Sequence, residues 1–227
     1  MPFEAKDVIS DPAALRELQS LGFKSVPVTL VGNRVAVGFN PRALCQLLGL
    51  RAEPNEGTRD VAWFQQKLEM LLDAMVRATR QLSPSLLDLV PQGSQGTLRE
   101  LIYHALNQPW LCIKTLQGIP FTHEALTKQP EEARRFKTPD ELAKFGQGII
   151  AETSRWAKGA APADLQRPIS THFGEITFGE LLDVSALGHA AHHLRQMYAI
   201  FGQLGIEPES PLKEQDLKGI PVPTELW

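Results

Sequence analysis

From residue 59 onward, apolar and polar positions repeat with a period near ~3.6, the mark of helices that bury one face. Val61, Phe64, Leu68, Leu71, Leu72, Met75 and Ala78 carry this rhythm and predict a helix over Arg59 to Gln81. Ser83-Pro84 breaks it, Leu86 to Val90 is expected to add a short turn, and Pro91 to Gly96 reads as a loop. Thr97 and Glu100 form a capping box, in which each side chain takes up a backbone N–H of the other's residue, and open a second helix toward Thr115. Pro109 is expected to kink that helix. Residues 121–137 read as polar and irregular, a lid or a plain connection. A second capping box, Thr138 and Glu141 with Pro139 between them, opens a third helix to about Lys158. Its inner stripe is Leu142, Phe145, Ile149, Ile150, Thr153 and Trp156. Thr171 to Ile176 predicts a tight hairpin. Thr177 and Glu180 then cap a fourth helix that runs to Leu204 and stops at Gly205. The tail, Ile206 to Trp227, is predicted to be extended and tied down by Leu212, Ile220 and Trp227. Separate caps on long amphipathic helices predict a mainly α protein whose residues 59–206 form an up-down four-helix bundle.

The first fifty residues follow a different rhythm. Phe3 to Val8 is a short strand candidate, and Asp11-Pro12 opens a helix over Ala13 to Leu21 that Gly22 stops. Val26 to Val31 and Arg34 to Val37 read as strands joined at Gly32-Asn33. Asn40 and Pro41 then start a helix to Leu48, and Arg51 to Thr58 reads as a linker. This order resembles the second half of a glutaredoxin or thioredoxin-like domain, giving a small α/β half-domain over residues 1–50. The resemblance is carried by Ser25-Val26-Pro27, which matches the cis-proline loop, and by Gly38-Phe39-Asn40, which matches the glycine turn before the last helix. The first strand and the CxxC of that family are missing, and thiol–disulfide exchange needs the cysteine. What the resemblance still implies is a platform for a thiol at Val26 and Pro27, or a lobe for docking or dimerisation. A sheet without its interior strand has an open edge, so the bundle or a second chain is expected to cover it.

Composition narrows the function classes. The 43% hydrophobic and 22% charged content are those of an ordinary globular protein. A formal net charge of -3 without a basic stripe argues against nucleic acid. No apolar run reaches membrane-spanning length and the first residues lack a signal-peptide core, so no membrane partner and a cytoplasmic location are expected. Cys45 and Cys112 fit no metal or redox spacing and read as small buried hydrophobes. A homodimer is the default expectation for assembly.

The chemistry concentrates in His189-Ala190-Ala191-His192-His193-Leu194-Arg195-Gln196, which holds three of the six histidines. His189 and His193, four apart, share one helix face, and it is the apolar one: Phe178, Leu182, Ser185, His189, His193, Gln196 and Ile200 form the stripe. Imidazoles turned toward a core need partners, and two so placed suit zinc, nickel, copper or ferrous iron. The alternative is packed, hydrogen-bonded histidines without a metal. His192 points about 100° away from His193. Gln196, on the inner face, is a candidate to orient a ligand or bound water. His123 and His172 fall in loops and carry no pairing signal.

The run Thr-x-x-Glu-Leu-Leu followed by His-x-x-His-His-x-x-Gln, preceded by Phe-Gly-Glu-Ile-Thr, resembles the DinB-like family of four-helix-bundle metalloproteins. Thr97 to His104 resembles the family's helix with one ligand histidine. The resemblance covers residues 58–206 and departs at Leu194-Arg195, where the family often has Arg-Gly. It implies an open divalent-metal site (zinc, nickel or iron) with ligands His104, His189 and His193. It also implies relatives that transfer or isomerise groups with low-molecular-weight thiols. Three protein nitrogens and an open position are the usual catalytic arrangement. The expectation is therefore a metal-dependent thiol transferase or hydrolase acting on a small molecule. The competing expectation is a non-catalytic, stress-related interaction module whose metal, if any, only staples helices.

Overall fold

The computed structural model describes residues 3–8, 10–23, 26–37, 41–50, 59–92, 94 and 96–223. The chain divides into two compact units, Met1–Pro54 and Asn55–Trp227.

In the first unit, Asp11 caps α1 (Pro12–Ser20) by accepting from the Ala13 N–H at 2.8 Å. Strands β1 (Val28–Val31) and β2 (Arg34–Val37) pair antiparallel in the register Val28↔Val37 to Val31↔Arg34, and α2 (Pro41–Leu48) follows. The expected strand over Phe3 to Val8 is absent: these residues have no strand to bond with, and Phe3 is 88% exposed. The Val26–Pro27 peptide is cis. Ser25, Gly38, Phe39 and Asn40, which carry the rest of the thioredoxin-like resemblance, lie outside the described residues, as does the linker 51–58. One two-stranded sheet and two short helices do not establish a thioredoxin-like half-domain. Among the described residues this unit fully buries only Ala14, Ala36 and Leu47 as apolar side chains, and leaves Leu30 and Val35, partners across the hairpin, exposed.

The second unit is helical. Asp60 caps α3 (Val61–Arg80), and a 3-10 turn (Pro84–Asp88) follows. The Thr97/Glu100 box caps α4 (Leu98–Lys114), with the Thr97 N–H 2.9 Å from the Glu100 carboxylate. That helix runs on through Pro109. The 121–137 connection is not irregular: it holds two short helices, α5 (His123–Thr127) and α6 (Gln129–Ala133). The Thr138/Glu141 box caps α7 (Pro139–Gly159). The hairpin forms from β3 (Pro168–Thr171) and β4 (Gly174–Thr177), longer than its sequence suggested because Pro168 and Thr177 also pair. The Thr177/Glu180 box then opens α8 (Phe178–Leu181), which passes into a π-helical stretch (Leu182–Gly188) and on into α9 (His189–Leu204). Gly205, at φ 69°, ends the run in the left-handed conformation that glycine takes at least cost.

The packing order differs from the simple up-down bundle, in which each helix sits beside the next in the chain. Here α3 packs chiefly on α7, α7 on α4, α4 on α9 and its π stretch, and α9 back on α3, while α3 and α4 touch little and α7 and α9 less still. Gly146 explains the close approach. A Cβ there would stand 2.6 Å from Val76 on α3 and 2.9 Å from Leu106 on α4, so only hydrogen fits between the three helices. The consequence is that α4 and α9 lie side by side. The tail is fastened by polar bonds as well as by Ile220, which is buried, and Leu212. Lys67 donates to the Asp216 carbonyl at 2.6 Å, Arg59 to Gly219 at 2.5 Å and Gln81 to Glu207 at 2.8 Å. Trp227 lies outside the described residues. Among the described residues no helix is long and apolar enough to cross a membrane.

Candidate metal centre

The packing of α4 against α9 brings together His104, His189 and His193. Their ring centres stand 5.0 Å (His104 to His193), 5.6 Å (His104 to His189) and 5.9 Å (His189 to His193) apart. All three are half-buried.

Each imidazole is held at Nδ1 by an oxygen. His193 meets Gln196 Oε1 at 2.8 Å, one turn further along its own helix. His189 meets the carbonyl of Val184 at 3.2 Å, five residues back and inside the π stretch. A widened turn puts a carbonyl five residues away within reach of the ring, which fits the habit of π segments to occur at functional sites. His104 meets Gln129 Oε1 at 2.6 Å, and Gln129 belongs to α6. An oxygen at Nδ1 requires a hydrogen there, so each neutral ring keeps its lone pair on Nε2.

Burial also keeps the rings neutral. His104 is pushed down to about 4, first by burial and then by the charge of His189, against the pull of Gln129. Burial, then His104 and His189, hold His193 well below the ordinary imidazole range, and burial lowers His189. Neutral imidazoles that repel one another's protons are what a cation site needs.

Three nitrogens about 2.1 Å from one tetrahedral ion would place ring centres about 5 Å apart, so the spacing suits a shared ion to within an ångström. The rings gather without closing, however: among the described residues no group of three or more His, Cys, Asp or Glu side chains is arranged to hold a metal ion as it stands. The donor set fits a divalent ion; the convergence of the rings is incomplete.

His192 stands beside this group, its ring centre 5.5 Å from that of His193, and its Nδ1 is buried without a hydrogen-bond partner among the described residues. Glu100 is occupied in its capping box, and Tyr103 donates to Glu132 at 2.7 Å. His123 and His172, in separate segments by sequence, pair with ring centres 5.9 Å apart. Cys112 is buried and burial raises its thiol pKa, while Cys45 is half-buried. The partner that sequence reasoning missed is Gln129. The local cues are Thr122, whose side chain caps α5 by accepting from Ala125, and Pro130-Glu131-Glu132 in the first turn of α6, which mark helices within the connection.

Four packed helices with an inward histidine cluster on two neighbours define a histidine-bearing four-helix bundle. The chain belongs to the DinB superfamily, whose family profile matches residues 67–197. Among solved structures it is similar to YfiT from Bacillus subtilis, described as a probable metal-dependent hydrolase with an unusual four-helix bundle topology. That likeness has a TM-score of 0.56 and 15% identity over 70% of this chain and 96% of the other. An uncharacterised protein from Escherichia coli UTI89 matches with a TM-score of 0.52 and 12% identity over 66% and 97% of the two chains. A protein from Streptococcus pneumoniae matches with 0.50 and 10% over 65% and 93%. At such identities these likenesses establish the fold. The curated proteins give no match.

Proposed function

We propose that this protein is a divalent-metal-dependent enzyme acting on a small molecule, a hydrolase or a thiol S-transferase, with His104, His189 and His193 as ligands. The observation that carries this reading is the gathering of three neutral imidazoles from two helices, each fixed at Nδ1 and each retaining some access to solvent. A divalent ion at such a site supplies Lewis acidity and brings a water or a thiol toward ionisation near neutral pH. The protein's own part is to leave three Nε2 lone pairs unused by the oxygens at Nδ1, to hold the rings uncharged at pH 7, and to leave a side open. Zinc, nickel and iron all suit imidazole, and availability decides among them.

The description of YfiT as a probable metal-dependent hydrolase favours the hydrolase arm. The transferase arm rests on the sequence of Ser25 to Pro27, with Val26 and Pro27 as platform for a low-molecular-weight thiol. Metal analysis of freshly purified protein, followed by assays of hydrolysis and of thiol-dependent consumption of electrophiles, tests the proposal. A stoichiometric metal lost in His189→Ala, with metal-dependent turnover, is the expected result. Protein that holds no metal when supplied with zinc, nickel or iron would overturn it.

A further inference from the structure

We propose that α6 is a wall of the histidine site and that Gln129 is the positioning residue for His104, so that metal binding and the docking of residues 121–137 are coupled. This rests on the metal reading above.

Gln129 is only 2% exposed and its amide is engaged at both ends. Oε1 lies 2.6 Å from His104 Nδ1, while Nε2 donates to Gln108 Oε1 at 3.5 Å, one turn further along α4. With its oxygen toward the imidazole, Gln129 accepts from the His104 Nδ1–H and leaves the ring's Nε2 for an ion. A second clamp lies beside it. Tyr103 donates to Glu132 at 2.7 Å, so two neighbours on α4 grip residues three apart on α6. The Arg135 guanidinium caps the cluster, 4.7 Å from the Phe136 ring and 5.7 Å from Phe145.

The ends of the segment have anchors of their own: Phe121 is buried and its carbonyl accepts from the His172 N–H at 3.2 Å, and Phe136 packs against Tyr103 and Phe145. Between those ends little is buried. α5 buries none of its residues, and α6 buries Gln129 and Ala133. A stretch with so few buried contacts opens more readily than the bundle does. His189 and His193 are held by oxygens of their own rod and do not depend on it; His104 does. Coupling is reciprocal: whatever factor the docked Gln129 adds to metal affinity, bound metal adds to docking.

The test uses the full chain, stripped of metal and titrated with zinc(II) against a chelating dye. Hydrogen exchange over 121–137 is followed with and without zinc. Gln129→Leu is expected to weaken zinc binding by about 10–100-fold, the usual loss for an outer hydrogen-bond partner of a ligand histidine. Gln129→Glu, which keeps an acceptor oxygen, is expected to restore it. Zinc should slow exchange over 121–137 in the wild type and not in Gln129→Leu. Wild-type affinity in Gln129→Leu, or exchange over 121–137 indifferent to zinc, overturns the inference and leaves the metal reading standing. A wild type that binds no zinc overturns both. Should Gln129→Leu fail to fold, Tyr103→Phe removes the neighbouring clamp without touching Nδ1 of His104. It should speed exchange over 121–137 and weaken zinc severalfold; unchanged zinc affinity there overturns the coupling.

Discussion

The two sides of the histidine cluster are built differently. On the α9 side the support is local: His193 leans on Gln196, three residues on, and His189 on the Val184 carbonyl, five residues back. On the α4 side it is borrowed: His104 leans on Gln129, twenty-five residues away in a five-residue helix. A local partner stays in place as long as its helix exists. A borrowed one stays only while two segments remain docked. The support of His189 and His193 is therefore as stable as their helix, and that of His104 lasts only while a short connection stays docked.

The largest effect should come from the ligands themselves. His104→Ala, His189→Ala and His193→Ala are each expected to lower zinc affinity by more than about 100-fold, beyond the usual range for an outer partner. Equilibrium competition with a chelating dye measures this. If His104→Ala bound zinc like the wild type, the borrowed side would be irrelevant and the comparison would collapse.

Next in size is the response of metal-free protein to acid. In the unfolded chain the imidazoles take up protons near pH ~6.5, whereas in the fold burial delays this, for His104 to about 4. The unfolded state then binds more protons between those values, so stability is full above pH ~6.5 and falls as pH drops toward 4. His104 alone accounts for roughly 3 kcal/mol of that loss. Asp183, pushed up to about 6 by burial against the opposing pull of Arg59, works in the other direction: its stabilising effect grows as pH falls through 6. Three imidazoles should outweigh one carboxyl. Chemical denaturation at a series of pH values checks the sign; stability that is flat or rises on acidification from 6.5 to 4 would contradict it.

Gln196→Leu should weaken zinc by about 10–100-fold, as Gln129→Leu does, but without loosening residues 121–137. The pair of variants, read by affinity and by hydrogen exchange, separates a local support from a borrowed one. Equal exchange in both would erase the distinction. The smallest effect is a control on α4 itself. Thr97→Ala removes the capping bond to the Glu100 N–H and is expected to cost about 1 kcal/mol on thermal unfolding while leaving zinc affinity alone.

The same contrast separates what could be read in the sequence from what could not. The long helices, their three Thr/Glu boxes and the shared face of His189 and His193 all depend on residues three or four apart, and the structure forms them where the spacing placed them. The contact of Gln196 with His193 also spans three residues of one helix. The π stretch was not, because Leu182 to Gly188 is apolar enough to satisfy an α-helix equally well. The order of packing was hidden too: amphipathic stripes say which face is buried but not against which helix, and Gly146 acquires meaning only once Val76 and Leu106 are seen on either side of it. Gln129 was invisible because nothing near it in the chain marks its partner.

Three imidazoles either take hold of a single ion or they do not. X-ray absorption at the zinc edge, recorded on the stoichiometric complex of wild type and of His104→Ala, measures this directly. Three imidazole nitrogens in the wild type and two in the variant are predicted. The same imidazole count in both, with zinc affinity unchanged, would contradict the account.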